Sequence, residues 1–103
     1  GVYLMNVIDY PPLRFVAAQA ATAAAVFDDV GVVAPPDYLA GERGGNFVII
    51  AGAGPLDRTA VADALTRAGR NEVLTDAEAF RLFVGSADVL SDDFAPVDQL
   101  LSR

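Results

Sequence analysis

Apolar and polar positions divide the chain into short continuous apolar runs separated by longer stretches of helical spacing. Residues 2–8 (VYLMNVI) are apolar except Asn6 and rich in β-branched and aromatic side chains. A run of this kind predicts a strand covered on both faces. Tyr10-Pro11-Pro12 closes it, because proline lacks the ladder donor and restricts the residue before it. Residues 13–27 predict an alanine-rich core helix. Its larger side chains Phe15, Val16, Val26 and Phe27 stand at the two ends, and the small ones between allow close approach to a sheet. A second strand is expected over residues 30–34, closed by Pro35-Pro36, then a polar loop over 37–45. A third strand (FVIIA) follows over 47–51, ended by Gly52, Gly54 and Pro55.

Two helix starts are signed in the sequence. Asp57 is placed to cap a helix over 58–68, with Leu56 and Val61 in staple positions and Gly69 as the stop. Thr75-Asp-Ala-Glu78 reads as a capping box opening a shorter helix to about Val84, with Gly85 behind it. The tail over 89–101 carries SDDFAP and then a short helical turn with Val97, Leu100 and Leu101. The order is β-α-β-β-α-α plus a tail, and the helical crossover implies that the first two strands run parallel in one sheet.

A first strand apolar on both faces belongs between neighbours, yet the remaining elements can supply at most one flank. The expectation is therefore the second half of a larger α/β domain whose first half precedes Gly1. No glycine-rich strand-to-helix turn is followed by an acid about 20 positions later, as a nucleotide-binding first half would have. Gly52-Ala53-Gly54 lies between a strand and a helix but lacks the third glycine and that acid; it reads as a strand-ending turn.

Composition narrows the chemistry. The chain has 103 residues and contains neither cysteine nor histidine, which removes disulfides, zinc ligation by these residues and His-based acid-base catalysis within it. Fourteen acids face seven bases, all arginine, for a net charge of -7. That balance argues against nucleic acid, whose binding rests on basic side chains neutralising phosphates. It suits a cationic ligand and equally plain solubility. No apolar run reaches the roughly 20 residues that span a bilayer, so no direct membrane contact is expected. The chain opens directly in a strand, without a basic leader of the kind a signal peptide carries.

Three segments carry a family resemblance: the strand YLMNVIDYPPLRF, the stretch VGVVAPPDYLAGERGGNFVIIA, and the tail VLSDDFAPVDQLL. They resemble the C-terminal half of spermidine synthases and spermidine-synthase-like proteins, some of which are fused to a transporter-like membrane region. The resemblance implies a partial methyltransferase-like Rossmann fold. It implies a three-stranded mixed sheet, with the third strand inserted antiparallel between the first two in the order first-third-second. It also implies a parent enzyme of polyamine biosynthesis that transfers an aminopropyl group from decarboxylated S-adenosylmethionine to a diamine such as putrescine. In that family the co-substrate site and the catalytic aspartate belong to the first half and the central strands. This chain alone is then expected to hold no cofactor and to be inactive.

The family carries its diamine contacts in the second half. Asn6 stands near a polar residue at the end of the matching strand, and Tyr38 resembles the pocket tyrosine, although its spacing to Gly44-Gly45 is longer than in well-known synthases. Asp92 and Asp93 could hold an ammonium group by charge-assisted hydrogen bonds, or Asp93 could cap the turn at Pro96 while Asp92 is solvated. Asp98 reads as a surface acid. The paired-tyrosine segment of true spermidine synthases is absent from the tail, which leaves the amine open. The alternative is a transferase-like appendage or interaction module without catalysis. A cytoplasmic location is implied, with a membrane tether where the parent has one. The expected partners are the missing half of the domain and, for the chain alone, a second copy paired through residues 2–8.

Overall fold

A computed structural model describes residues 2–85 of the chain. The elements in order are β1 (Val2–Asp9), α1 (Arg14–Val26), β2 (Asp29–Ala34), α2 (Pro36–Leu39), β3 (Gly45–Gly52), α3 (Arg58–Arg67), β4 (Val73–Leu74) and α4 (Ala77–Val84). They build one sheet in the order β1-β3-β2-β4.

The inserted third strand is present. β3 pairs antiparallel with β1 from Val2 opposite Gly52 to Asp9 opposite Gly45. On its other side it pairs antiparallel with β2, with Val32 opposite Ile49. β1 and β2 therefore point the same way with β3 between them, as the crossover through α1 requires. Three details differ from the sequence expectation. The sheet has four strands rather than three, because Val73 and Leu74 pair antiparallel with Ala34 and Val33. Every hydrogen-bonded ladder is antiparallel, so the sheet is not mixed at the level of neighbouring strands. A two-residue strand is too short to show a period in sequence. The polar loop expected over 37–45 also begins with a helical turn, α2, because Pro36 fixes a helical φ at its first position.

Residues alternate across the sheet, so each strand offers one set of side chains to each face. On the first face Val7, Phe47, Ile49, Ala51, Val30, Val32 and Ala34 are buried against Val16, Ala20 and Ala23 of α1. The three α1 positions recur at helical spacing, and their small side chains let the helix lie close to the strands. α4 joins this layer through Phe80, Phe83 and Val84. Gln19 and Thr22, the two polar breaks in the helix, are buried as well. Thr22 Oγ1 donates to the Ala18 carbonyl at 2.8 Å.

The second face is covered less completely. α3 has no buried residue. Between it and the strands runs a groove of about 410 Å³, floored by Val33, Val48 and Ile50, with Leu4 at its β1 end and the Arg70–Glu72 ion pair at its rim. β1 is the edge strand on this side. Val2, Tyr3, Leu4 and Ile8 are exposed, and only Val7 of β1 is buried.

Candidate functional site

The carboxyl ends of β1 and β2 meet the start of β3 at one end of the sheet, the position at which open α/β sheets bind ligands. Asp9 ends β1 and organises this end. Its Oδ1 accepts from the Tyr10 amide at 2.9 Å and its Oδ2 from the Val16 amide at 3.0 Å. The second bond supplies a free amide in the first turn of α1 with an acceptor that Leu13, at the N-cap, cannot provide. Leu13 itself is buried with φ 63°, a left-handed backbone that a leucine adopts only when its surroundings hold it there. Its amide donates to the Tyr10 carbonyl at 2.9 Å, closing the turn through the cis Pro11–Pro12 peptide.

Opposite this turn lies Gly44-Gly45, and here the absence of side chains is a packing requirement. A Cβ on Gly44 would stand 2.4 Å from the Asp9 carbonyl oxygen and 2.5 Å from Tyr10 Cα. A Cβ on Gly45, whose φ is +155°, would stand 2.8 Å from the Tyr38 hydroxyl. Two tyrosines thus close on consecutive glycines. Tyr38, half-buried, stacks its ring obliquely on Phe47 at 5.5 Å between centroids, and Phe47 meets Phe83 at 6.1 Å. The Tyr38 amide donates to the Pro35 carbonyl at 3.0 Å and to the Asp37 carboxylate at 3.1 Å.

Asn6 lies elsewhere. It stands in the middle of β1 opposite Val48, on the second face, where its Oδ1 accepts from Asn46 Nδ2 at 3.4 Å. Tyr38 packs on the first face, so the structure does not bring the two together. Asp92, Asp93 and Asp98 lie outside the described residues. Asp9 and Tyr10 were not singled out in the sequence; an acid closing a strand just ahead of a helix whose N-cap cannot bond was the available signal.

A second polar cluster joins three elements at the far edge. Asp29 accepts from the Leu56 amide at 2.9 Å and pairs with Arg58 at 2.5 Å. Arg58 also donates to the Thr75 carbonyl, and Thr75 Oγ1 accepts from the buried Val32 amide at 3.1 Å. Burial pushes the Asp29 carboxyl up, but the Leu56 amide and the Arg58 guanidinium together outweigh it and hold the group below its ordinary 3.8. Glu72 is likewise held low by its hydrogen bond from Arg70. The Asp29 cluster fastens β2, the start of α3 and the approach to α4. Gly54, in the turn after β3, has open space where a Cβ would be.

Among solved structures, the chain is similar to a probable spermidine synthase from Corynebacterium glutamicum ATCC 13032. The match has a TM-score of 0.74 and 26% sequence identity, and covers 90% of this chain. This is a spermidine-synthase-like fold. The match covers 36% of that protein's chain, so the chain spans about a third of its relative's length. No protein-family model matches the chain, and no curated protein does. No helix among the described residues is long and apolar enough to cross a membrane.

Proposed function

We propose that this spermidine-synthase-like chain is the C-terminal, acceptor-side part of an aminopropyltransferase of polyamine biosynthesis. In the whole protein the amine nitrogen of a diamine such as putrescine would attack the propyl carbon of decarboxylated S-adenosylmethionine. The carbon–sulfur bond breaks, the thioether nucleoside leaves and the amine loses a proton. The chain's own share is to shape the diamine side of the pocket. The observation that carries this reading is the pair of co-directed strands β1 and β2 with antiparallel β3 between them, in a chain whose likeness covers 90% of it but 36% of the probable synthase.

Within the chain, Tyr38 is the best-placed diamine contact. Its ring is held by Phe47 and its hydroxyl lies over Gly45 at the carboxyl ends of the parallel strands. A tyrosine face and hydroxyl suit an ammonium group, which is attracted to the ring and donates to the oxygen. Asp92 and Asp93 remain proposed carboxylate partners for the same ammonium. The co-substrate's binding residues are proposed to lie in the part of the parent outside this chain.

The test is an assay for release of the thioether nucleoside. The 103-residue chain with decarboxylated S-adenosylmethionine and putrescine should give no turnover, whereas the longer parent should. Turnover by the chain alone would overturn the division of labour. In the parent, Tyr38→Phe should raise KM for the diamine about three- to tenfold with kcat largely kept, as expected when a ground-state hydrogen bond is removed.

A second reading is favoured by one observation, the placement of Asn6 and Tyr38 on opposite faces of the sheet. A transferase-like appendage that has lost catalysis needs no convergence of these side chains. A parent that neither turns over nor binds decarboxylated S-adenosylmethionine in calorimetry would establish that reading.

A further inference from the structure

A cavity of about 170 Å³ opens beside the amino end of β2, at the end of the sheet opposite Tyr38 and Gly45. Its walls come from α1, β2, α3 and α4, and β2 is separated from β1 by β3. Three features of the lining select one chemistry. Phe27, at the C-cap of α1, and Phe80 of α4 are half-buried aromatic walls. Asp28 is exposed, and among the described residues its carboxylate has neither an ion pair nor a hydrogen bond. Ala24 belongs to the last turn of α1, where the carbonyls run out of helical amides. The Asp28 amide, next in line for the Ala24 carbonyl, donates instead to the Gly52 carbonyl at 3.0 Å. No basic side chain stands in that turn, so the negative end of the helix dipole is uncompensated.

From this lining we infer that the cavity binds the ammonium end of an aliphatic primary amine. An ammonium has three N–H donors for the Asp28 carboxylate and the last carbonyls of α1. The aromatic walls attract its charge and cover the alkyl carbons beside it. Arg58 also lines the cavity, but its charge is spent: it pairs with Asp29 at 2.5 Å and donates to the Thr75 carbonyl. The positive start of α4 is covered by Asp76, whose carboxylate accepts from the Ala79 amide at 2.7 Å. With Arg58 and Asp29 paired, Asp28 is the charge left to face a ligand. The volume is below the roughly 300–1,000 Å³ of sites that enclose a drug-sized molecule, so one end of the amine is held and the rest projects into solvent.

The cavity lies at the other end of the sheet from the proposed diamine contact, and the inference does not rest on the transferase reading. The test titrates n-butylammonium chloride into the isotope-labelled, full 103-residue chain at constant ionic strength and follows the amide resonances by NMR. Saturable shifts are expected at Phe27, Asp28 and Ala77, all of which line the cavity. n-Butanol, with the same alkyl chain and no charge, should produce no saturable shift there. Asp28→Asn should weaken binding about two- to fivefold, as the loss of an exposed charge pair predicts. Its side chain is exposed, so the remaining amide spectrum should keep its folded dispersion. Phe80→Leu, which keeps an apolar wall without the ring, should weaken binding by about the same factor. No saturable shift at Phe27 and Asp28 would overturn the inference, whatever happens at Tyr38 and Gly45. An affinity indifferent to Asp28→Asn, or matched by n-butanol, would overturn it equally by removing the ammonium from the site.

Discussion

Individual residues carry the tightest constraints at the ends of the strands. Gly44 is fixed by the backbone of Asp9 and Tyr10, which cannot retreat as a flexible side chain would. Gly44→Ala should therefore destabilise the fold by about 1–3 kcal/mol, read as a lower urea midpoint. Gly54, with nothing nearby, should accept alanine with little change. Gln19 is the opposite case. Its side chain is buried, and neither amide atom finds a hydrogen-bond partner among the described residues. Gln19→Leu keeps the volume and removes the unpaired groups, so stability should rise by about 1 kcal/mol or more. An unchanged or lower midpoint would mean that the amide is in fact satisfied. Asp29 sets a pH dependence. Its folded-state value lies below the unfolded one, so its contribution is complete above the unfolded value and is lost as pH falls through the folded one. Asp29→Asn should lower the urea midpoint at neutral pH and make the acid decline shallower than in the native chain. At this scale the sequence marked Tyr38 and Asn6 as polar or aromatic residues near strand ends, but not which face each occupies.

The elements were legible where local signals are strong. β1, α1, β2, β3 and α3 appear within one or two residues of their expected limits, and Asp57 caps α3 through a 3.0 Å bond from the Ala60 amide. The start of α4 was misassigned by one residue. The box reading made Thr75 the cap; the structure uses Asp76, whose carboxylate accepts from the Ala79 amide at 2.7 Å. Thr75 is committed to β2 instead, through its hydroxyl and its own amide, which donates to the Val32 carbonyl at 3.0 Å. A long-range pairing thus overrides a local motif. The two roles can be separated by denaturation. Asp76→Ala should cost about 1 kcal/mol, the usual value of a cap. Thr75→Val should cost about 1–3 kcal/mol, because it leaves the buried Val32 amide unpaired. The reverse ranking would restore Thr75 as the cap.

For the whole molecule, the balance lies in the asymmetry of the two sheet faces. One is closed by α1 and α4 over the apolar core, and the other is only partly roofed by α3. β3, paired on both sides and buried through Ile49 to Gly52, should hold the slowest-exchanging amides, while those of α3 open first. Hydrogen exchange read by mass spectrometry or NMR checks the order; protection in α3 equal to that in β3 would contradict it. Among the described residues β1 pairs with β3 alone and exposes Val2, Tyr3, Leu4 and Ile8. A strand with this composition was expected to be covered on both faces, and within the described residues it is not.

The amino-acid sequence by itself determined the order of all the described elements but α2 and β4, the parallel sense of β1 and β2, and the apolar character of the opening strand. Those properties follow from side-chain period, proline and glycine punctuation, and the crossover rule, all of which act within short stretches. Tertiary structure alone decided what depends on contacts between distant stretches. It recruited Val73 and Leu74 as a fourth strand, diverted Thr75 from capping to sheet pairing, and turned Asp9 back onto the amide of Val16. It also placed Asn6 and Tyr38 on opposite faces, because strand register, a long-range property, fixes the face each side chain takes.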